Sequence, residues 1–149
     1  MVVDVQASVA GAPPAPRVRR VPGRVARAAG ARAREVSVLF CADGRMRALN
    51  RRYRGKDRPT DVLAFPAGEG AEGFLGDIVI SVPYAAREAR RREDRPEREM
   101  DRLLLHGFLH LMGYDHETDA GQMDALETRL RSRLGLAPAA SRRSARGTR

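Results

Sequence analysis

The sequence contains few cysteines, lysines and histidines, and it has no long apolar run. Cys41 is the only cysteine among 149 residues, which excludes an internal disulfide framework. No apolar stretch approaches the roughly 20 residues that a membrane-spanning helix needs. The N-terminal segment carries Asp4 where an export signal would carry positive charge. We therefore expect a cytoplasmic protein that does not contact a membrane.

Positive charge dominates the chain, and nearly all of it comes from arginine. The formal net charge is +9, and Lys56 is the only lysine. A surplus of this size favours an anionic partner, with nucleic acid ahead of acidic lipid. A genome biased toward arginine and alanine would produce the same composition, so the charge permits nucleic-acid binding without requiring it.

The pattern of apolar residues and turn signals predicts an α+β fold, with strands early and long helices late. We expect a single domain over residues 1–136, in which helices flank a small mixed four-stranded sheet. Residues 137–149 form a basic tail with nothing to bury, and we predict that this tail is disordered. The predicted strands are 2–6, 35–40, 61–65 and 77–81; the predicted helices are 22–33, a short one that ends at Gly55, 84–94, 96–112 and 118–134.

The chain's only three histidines lie within residues 106–116, in the stretch HGFLHLMGYDH. His106 and His110 are four residues apart on a predicted helix, so their side chains share one face, roughly 5–6 Å apart at Cβ. Gly113 ends that helix and lets His116 return toward the same point. Three imidazoles with an open fourth position are typical of a catalytic zinc site. A buried core histidine is the usual alternative for one such residue, but three in this register favour one Zn²⁺ ion.

The spacing also matches the metzincin consensus H-E-x-x-H-x-x-G-x-x-H, except at one position. Gly107 stands where the zincins have the glutamate that acts as general base, so the metal site is metzincin-like while peptidase chemistry is not expected. Two explanations of Gly107 remain open. The missing side chain makes room for a bulky substrate beside the metal, or it permits close packing against a neighbouring strand.

Carboxylates follow the histidines closely in the sequence. Asp115 could accept a proton from water activated by the metal, but the better interpretation is that it orients an imidazole. Glu117 and Asp119 fit the start of the last helix, where negative charge is favoured. Cys41, at a strand end, is interpreted as a small buried residue.

A second informative stretch, NRRYRGKDRPTDVLAFP, concentrates positive charge in residues 50–66. Arginine offers a bidentate fork for phosphate, so this group could bind phosphates; a solvated basic loop is the alternative. The charge on 87–92 is more simply the wet face of a helix. The basic side chains of the first stretch are Arg51, Arg52, Arg54, Lys56 and Arg58, and those of the second are Arg87, Arg90, Arg91 and Arg92.

Three segments in this order and spacing, HGFLHLMGYDH, YRGKDRPTDVLAFP and LGDIVIS, resemble the bacterial YbeY family of metal-dependent endoribonucleases. The resemblance covers roughly residues 35–134. It implies one zinc ion held by His106, His110 and His116, and a functionally important arginine at Arg54. We therefore assign catalytic roles to Arg54 and His106. Ala64 departs from the family, which usually has serine there.

The resemblance further implies a single-stranded RNA substrate. The family acts in ribosomal RNA processing, including maturation of the 3′ end of 16S ribosomal RNA, and in ribosome quality control. Expected partners are therefore the ribosomal RNA precursor and the small ribosomal subunit. The alternative is a zinc-stabilised RNA- or ribosome-binding assembly factor with little catalysis of its own. A metallopeptidase is a third hypothesis, supported by the histidine register alone and opposed by Gly107.

Overall fold

A four-stranded mixed sheet and five helices make up the computed structural model, which describes residues 1–29, 35–68, 70, 72–115 and 119–135. The strands are β1 (Val2–Ala7), β2 (Glu35–Cys41), β3 (Val62–Pro66) and β4 (Phe74–Ser81). The helices are α1 (Ala15–Ala29), α2 (Asp43–Arg54), α3 (Val82–Arg91), α4 (Pro96–Leu111) and α5 (Gln122–Arg133). The predicted α+β class, single domain and mixed sheet are confirmed. The predicted tail, 137–149, lies outside the described residues.

The strands are arranged in the order β1-β2-β4-β3. β1, β2 and β4 run parallel, whereas β3 runs antiparallel to β4, with Ala64 opposite Ile78. Since β3 pairs only with β4, it is an edge strand within the described sheet. Its other edge is therefore available to border a cleft.

The two faces of the sheet bury different amounts of apolar surface. On one face, strand residues such as Phe40, Ile78 and Ile80 pack with α1, α3, α4 and α5 in a large core. On the other face, α2 covers a small cluster that includes Met46 and Val79. Neighbours in β4 point to opposite faces, as the period of two in a strand requires.

The first helix begins earlier than the sequence predicts. α1 spans Ala15–Ala29, whereas the prediction was 22–33; residues 30–34 lie outside the described residues. A proline is tolerated in the first helical turn, where its missing N–H has no partner to lose, so Pro16 does not prevent helix formation. Three valines at helical spacing, Val18, Val21 and Val25, are buried, and α1 packs against α4. This burial stabilises the helix even though Pro22 lies inside it.

Strand β4 also begins earlier than predicted, because the glycine-rich loop before it ends sooner. The prediction began at Asp77, whereas the strand begins at Phe74. Gly76, with φ +142°, lies opposite Pro66, and a Cβ there would overlap the carbonyl oxygen of Phe65. A glycine inside a strand often marks such a close backbone approach.

The last helix begins later than predicted, at Gln122 and not at residue 118. Asp119 lies just before it and caps the first turn, because its carboxylate accepts hydrogen bonds from the N–H groups of Gly121 and Met123, each at 2.9 Å. The predicted role of Asp119 at the start of this helix is confirmed. Glu117 lies outside the described residues.

Candidate functional site

A cleft of about 710 Å³ opens between the edge strand β3, the loop after α2 and the C-terminal end of α4. Edge-strand residues 62–64 line one side, and the loop after α2 supplies cations. The C-terminal turns of α4 supply the opposite wall. The residues that line the cleft include Asn50, Arg54, Lys56, Arg58, Ala64, His106, Gly107, His110 and Asp115.

His106 and His110 face each other across one turn of α4. Their Nε2 atoms are 3.2 Å apart, and their ring centroids are 4.7 Å apart with the rings nearly perpendicular. Gly113 follows α4 with φ +100°, a left-handed conformation that turns the chain away from the helix. The predicted shared face of the two histidines and the helix end at Gly113 are confirmed.

Glu127 of α5 holds the other side of the His106 ring. Its Oε1 lies 2.9 Å from His106 Nδ1, and its Oε2 accepts a hydrogen bond from Arg131 at 3.2 Å. Burial raises the pKa of the Glu127 carboxyl. The hydrogen bond with His106 and the charges of His106, Arg131 and Arg102 outweigh burial and lower that pKa below its usual value. Because a carboxylate only accepts hydrogen bonds, this contact places the proton of a neutral His106 on Nδ1 and directs Nε2 toward the cleft.

The two Nε2 atoms have a spacing suited to one metal ion. In a tetrahedral site with Zn–N bonds of about 2.0–2.1 Å, two nitrogens lie about 3.3–3.4 Å apart, close to the 3.2 Å between His106 and His110. A carboxylate behind a metal-binding histidine is also a recurrent arrangement in zinc proteins. The third predicted ligand, His116, lies outside the described residues, and within them no cluster of three such ligands forms. The histidine pair therefore fits zinc, while the three-histidine set stays a prediction.

Arg54 lies on the opposite wall of the same cleft. One of its guanidinium nitrogens donates to the carbonyl oxygen of Ala64 at 2.8 Å, and the group lies 5.1 Å from the centre of the Phe65 ring. The Ala64 carbonyl belongs to the free edge of β3, so this strand fixes the position of the cation. A guanidinium has five N–H donors, and one contact to a carbonyl leaves it able to bind phosphate.

The predicted basic group after α2 divides into two parts. Lys56 and Arg58 line the cleft with Arg54, whereas Arg51 and Arg52 do not. Asn50 holds this loop, since its side-chain amide donates to the carbonyl oxygen of Arg58 at 2.9 Å. Three cations, one at the end of α2 and two in the loop after it, therefore line the same cleft as the histidine pair, which favours phosphate binding over a solvated loop.

The charge on α3 is mostly surface charge, as predicted, with one exception. Arg87 pairs with Asp43 and Arg91 pairs with Glu88, in both cases with the arginine about half exposed. Arg92 departs from the prediction of a wet helix face. Its side chain is only 16% exposed, and it lies 3.5 Å from the buried carboxylate of Glu99.

Gly107 is explained by packing against the sheet. A Cβ at this position would lie 2.9 Å from Cγ2 of Ile78, which is itself fully buried in β4. A residue with a side chain would therefore push α4 away from the sheet, which supports the packing explanation over substrate room. The same contact leaves little space for a zincin-type glutamate at this position.

Asp115 lines the cleft, four residues after the end of α4. Asp115 is exposed. The choice between orienting an imidazole and accepting a proton stays a prediction. Cys41, by contrast, is fully buried as predicted, and burial raises the pKa of its thiol.

Comparison with known proteins identifies the family. The family model described as endoribonuclease YbeY matches residues 18–135, which contain every described cleft residue. The chain belongs to the YbeY family.

Two curated proteins named endoribonuclease YbeY illustrate the relationship. One from Anaeromyxobacter sp. (strain Fw109-5) is 51% identical over 112 residues, which cover 72% of this chain and 58% of the relative. One from Anaeromyxobacter dehalogenans (strain 2CP-C) is 46% identical over 140 residues, which cover 91% of this chain and 72% of the relative. The chain thus spans somewhat more than half the length of the first relative and nearly three quarters of the second.

A solved structure supports the same architecture. The solution structure of TM1509 from Thermotoga maritima superimposes with a TM-score of 0.62 at 23% sequence identity, over 93% of this chain and 95% of that one. This likeness concerns the fold. Within the described ranges, no helix of this YbeY-family chain is both long and apolar enough to span a membrane.

Sequence reasoning missed three polar residues that position the site. Glu127 supports His106, Arg131 supports Glu127, and Asn50 fixes the cationic loop. Glu127 and Arg131 are four residues apart on a helix, a spacing that pairs opposite charges and was readable from the sequence. Nothing in the sequence indicated that this pair lies behind His106.

Proposed function

We propose that the protein is a metal-dependent endoribonuclease that hydrolyses single-stranded RNA. One observation carries this proposal. A single cleft places a histidine pair suited to zinc opposite Arg54, Lys56 and Arg58. A Lewis acid and cationic side chains both stabilise the negative charge of a phosphodiester during its cleavage, whereas a peptide bond carries no charge for a cationic wall to bind. Membership of the YbeY family supports the same conclusion.

His106, His110 and His116 would hold one Zn²⁺ ion. The first two present their Nε2 atoms to a common point, and Glu127 keeps His106 in the tautomer that a metal requires. A bound zinc ion supplies Lewis acidity, the chemistry that activates water and polarises a phosphoryl oxygen. His116 completes the set by its register in the sequence.

Arg54 would bind the scissile phosphate. The carbonyl of Ala64 and the Phe65 ring hold its guanidinium before substrate arrives, so little conformational freedom is lost on binding. A fixed cation stabilises the extra negative charge that develops on the pentacovalent phosphorus in the transition state. Lys56 and Arg58 would contact flanking phosphates, since they line the same cleft.

Peptidase chemistry is disfavoured by the packing at Gly107. The glutamate that acts as general base in the zincins would have to replace this glycine. A Cβ at this position would lie only 2.9 Å from Cγ2 of Ile78.

The biological substrate would be ribosomal RNA. We propose that the enzyme acts in the cytoplasm on the ribosomal RNA precursor, including the 3′ end of 16S ribosomal RNA, in association with the small ribosomal subunit and in ribosome quality control. The names of the YbeY relatives, the net charge of +9 and the cationic cleft support an RNA substrate. The same charge would bring the protein to the phosphate backbone of the ribosome.

Cleavage of a labelled single-stranded RNA by the purified zinc-loaded protein tests the proposal. His110→Ala, purified identically, is the control for a contaminating nuclease. We expect cleavage by the wild type and none by the variant, with both proteins folded by circular dichroism. Equal cleavage by both would contradict the proposed site. RNA binding without cleavage, together with an unfolded metal-free protein, would support the zinc-stabilised binding factor instead.

A further inference from the structure

We propose that Tyr53 forms a stacking subsite for one nucleobase of the single-stranded RNA, next to the phosphate held by Arg54. This inference rests on the proposed function and adds a recognition site to it. Tyr53 belongs to the last turn of α2 and is the immediate chain neighbour of Arg54, which lines the cleft. The subsite would therefore lie at the rim of the cleft, on the cationic side.

The first observation is exposure. Tyr53 is 52% exposed, and the other exposed large hydrophobic residues in the described part of the chain, Met1 and Val2, lie at the chain start. Its aromatic surface is therefore accessible to a ligand in the neighbouring cleft, and burial of that surface on binding would be favourable.

The second observation is that the exposed ring is held in place. Tyr53 packs edge-to-face on Phe65 of β3, with centroids 5.3 Å apart and an interplanar angle of 65°. Phe65 in turn packs on the small buried cluster under α2. A ring already held by such a contact can stack on a planar ligand at low entropic cost, because only two side-chain torsions need ordering.

The third observation is the charge around the ring. The guanidinium of Arg52 lies 5.3 Å from the Tyr53 ring centre, and that of Arg54 lies 5.1 Å from the Phe65 ring centre. Two adjacent aromatic rings thus lie between two cations, in the order Arg52, Tyr53, Phe65, Arg54. Proteins that bind single-stranded nucleic acid combine a cationic groove for the backbone with aromatic rings for the bases. A nucleobase on the Tyr53 ring beside a phosphate on Arg54 fits this arrangement.

Any of the four bases would satisfy the site, since each has a π-face and no hydrogen-bonding group is needed for stacking. The subsite therefore predicts a contribution to affinity that depends weakly on sequence. It also predicts that the contribution is lost when the base is removed and the backbone is kept.

Single-turnover cleavage of a labelled RNA at increasing enzyme concentration tests the subsite, because it separates apparent Kd from the limiting rate. Tyr53→Leu should raise apparent Kd about 5- to 150-fold and leave the limiting rate within about twofold, whereas Tyr53→Phe should bind like the wild type. Tyr84→Leu is the matched control, because Tyr84 also lies under an arginine, Arg87, but belongs to α3 and is not the chain neighbour of a cleft residue. This control should bind like the wild type.

RNAs that carry one abasic position at a time make the test specific to stacking. At one position, loss of the base should weaken RNA binding by the wild type to the same extent as Tyr53→Leu does. The same abasic RNA should bind the Tyr53→Leu variant nearly as well as the intact RNA does. A Tyr53→Leu variant that binds within twofold of the wild type would overturn the subsite and leave the proposed nuclease intact. A wild type that neither binds nor cleaves RNA would overturn both.

Discussion

The two faces of the sheet contribute different things to the cleft. The face covered by α4 forms the large apolar core. His106 and His110 belong to this helix, and most of the residues around them in α4 are buried. The face covered by α2 is thin, and it delivers Arg54 and the loop after it at an exposed helix end. Metal ligands need fixed geometry, whereas a polyanion must be reached from solvent. The difference in burial therefore follows the difference in task.

The supporting contacts differ in the same way. Behind His106 lies the Glu127–Arg131 pair, whose side chains are 12% and 19% exposed. Behind Arg54 lie one strand carbonyl and the partly buried Phe65. The histidine side is held by a buried charged network, and the arginine side by the edge of a sheet.

The largest expected effect is a loss of folding stability, and it compares the two apolar cores directly. Phe108→Ala removes a fully buried ring from the α4 face, while Met46→Ala removes a fully buried side chain from the α2 face. We expect losses of about 3–5 kcal/mol for Phe108→Ala and about 2 kcal/mol for Met46→Ala, because the thin cluster can collapse around the missing atoms. Urea denaturation monitored by circular dichroism gives both values. Equal losses would contradict the contrast between the faces.

The next effect concerns the support of the histidine pair. Glu127→Gln keeps the shape of the side chain but lets its amide present a donor to His106, which weakens the fixed tautomer. We expect zinc affinity to fall about 10- to 100-fold with little change in fold. Competition with a chromophoric chelator measures the affinity, and Asp124→Asn on the same helix is the control. Unchanged affinity would remove Glu127 from the site.

A smaller effect tests the close approach of α4 to the sheet. Gly107→Ala gains helix propensity of about 1 kcal/mol but brings a Cβ against Ile78. Overpacking costs about 1–3 kcal/mol, so the variant should be less stable than the wild type by about 1 kcal/mol. Ile78→Ala removes the opposing methyl, and the double variant should be more stable than the sum of the two single changes predicts. Additive free energies of unfolding would show that the two residues do not meet.

The smallest expected effect is on the stability contributed by the contacts of α2 with the end of β4 and with α3. Asp43 accepts a hydrogen bond from the buried Ser81 hydroxyl at 2.8 Å and pairs with Arg87 at 2.8 Å. Burial raises the pKa of its carboxyl, but the hydrogen bonds from Arg87 and Ser81 outweigh burial and lower it. A carboxylate with a lowered pKa stabilises the fold above its unfolded pKa of about 3.9, and this stability is lost as pH falls through the folded pKa.

Asp43→Asn should therefore cost at most about 1 kcal/mol at pH 7, because the pair is partly exposed. The difference from the wild type should shrink below about pH 4. Thermal unfolding of both proteins from pH 7 to pH 3 measures it. A difference that stays constant over this range would mean that the charge of Asp43 has no part in holding α2.

The sequence predicted the parts of the site that depend on local spacing. A separation of four residues placed His106 and His110 on one helix face, and Gly113 marked the end of that helix. Both follow from helix geometry, which needs no knowledge of the rest of the chain. Local residue patterns also predicted which described segments are helices and which are strands.

Contacts between distant segments could not be read in this way. Glu127 meets His106 from another helix, and the Arg54 guanidinium meets the carbonyl of Ala64 across a loop. The reason for Gly107 became clear only when Ile78 was seen to face it. Such contacts depend on how elements pack, and no residue spacing in a single sequence encodes that packing.

The most direct measurement of the central claim compares zinc content and RNA cleavage in one variant, Arg54→Glu. Because Arg54 lies on the α2 side of the cleft and the proposed metal ligands His106 and His110 on the α4 side, we predict that cleavage is abolished while bound zinc stays at the wild-type level. Zinc is measured by atomic emission, and cleavage with a labelled single-stranded RNA. Loss of zinc, or cleavage at the wild-type rate, would contradict the division of tasks between the two faces.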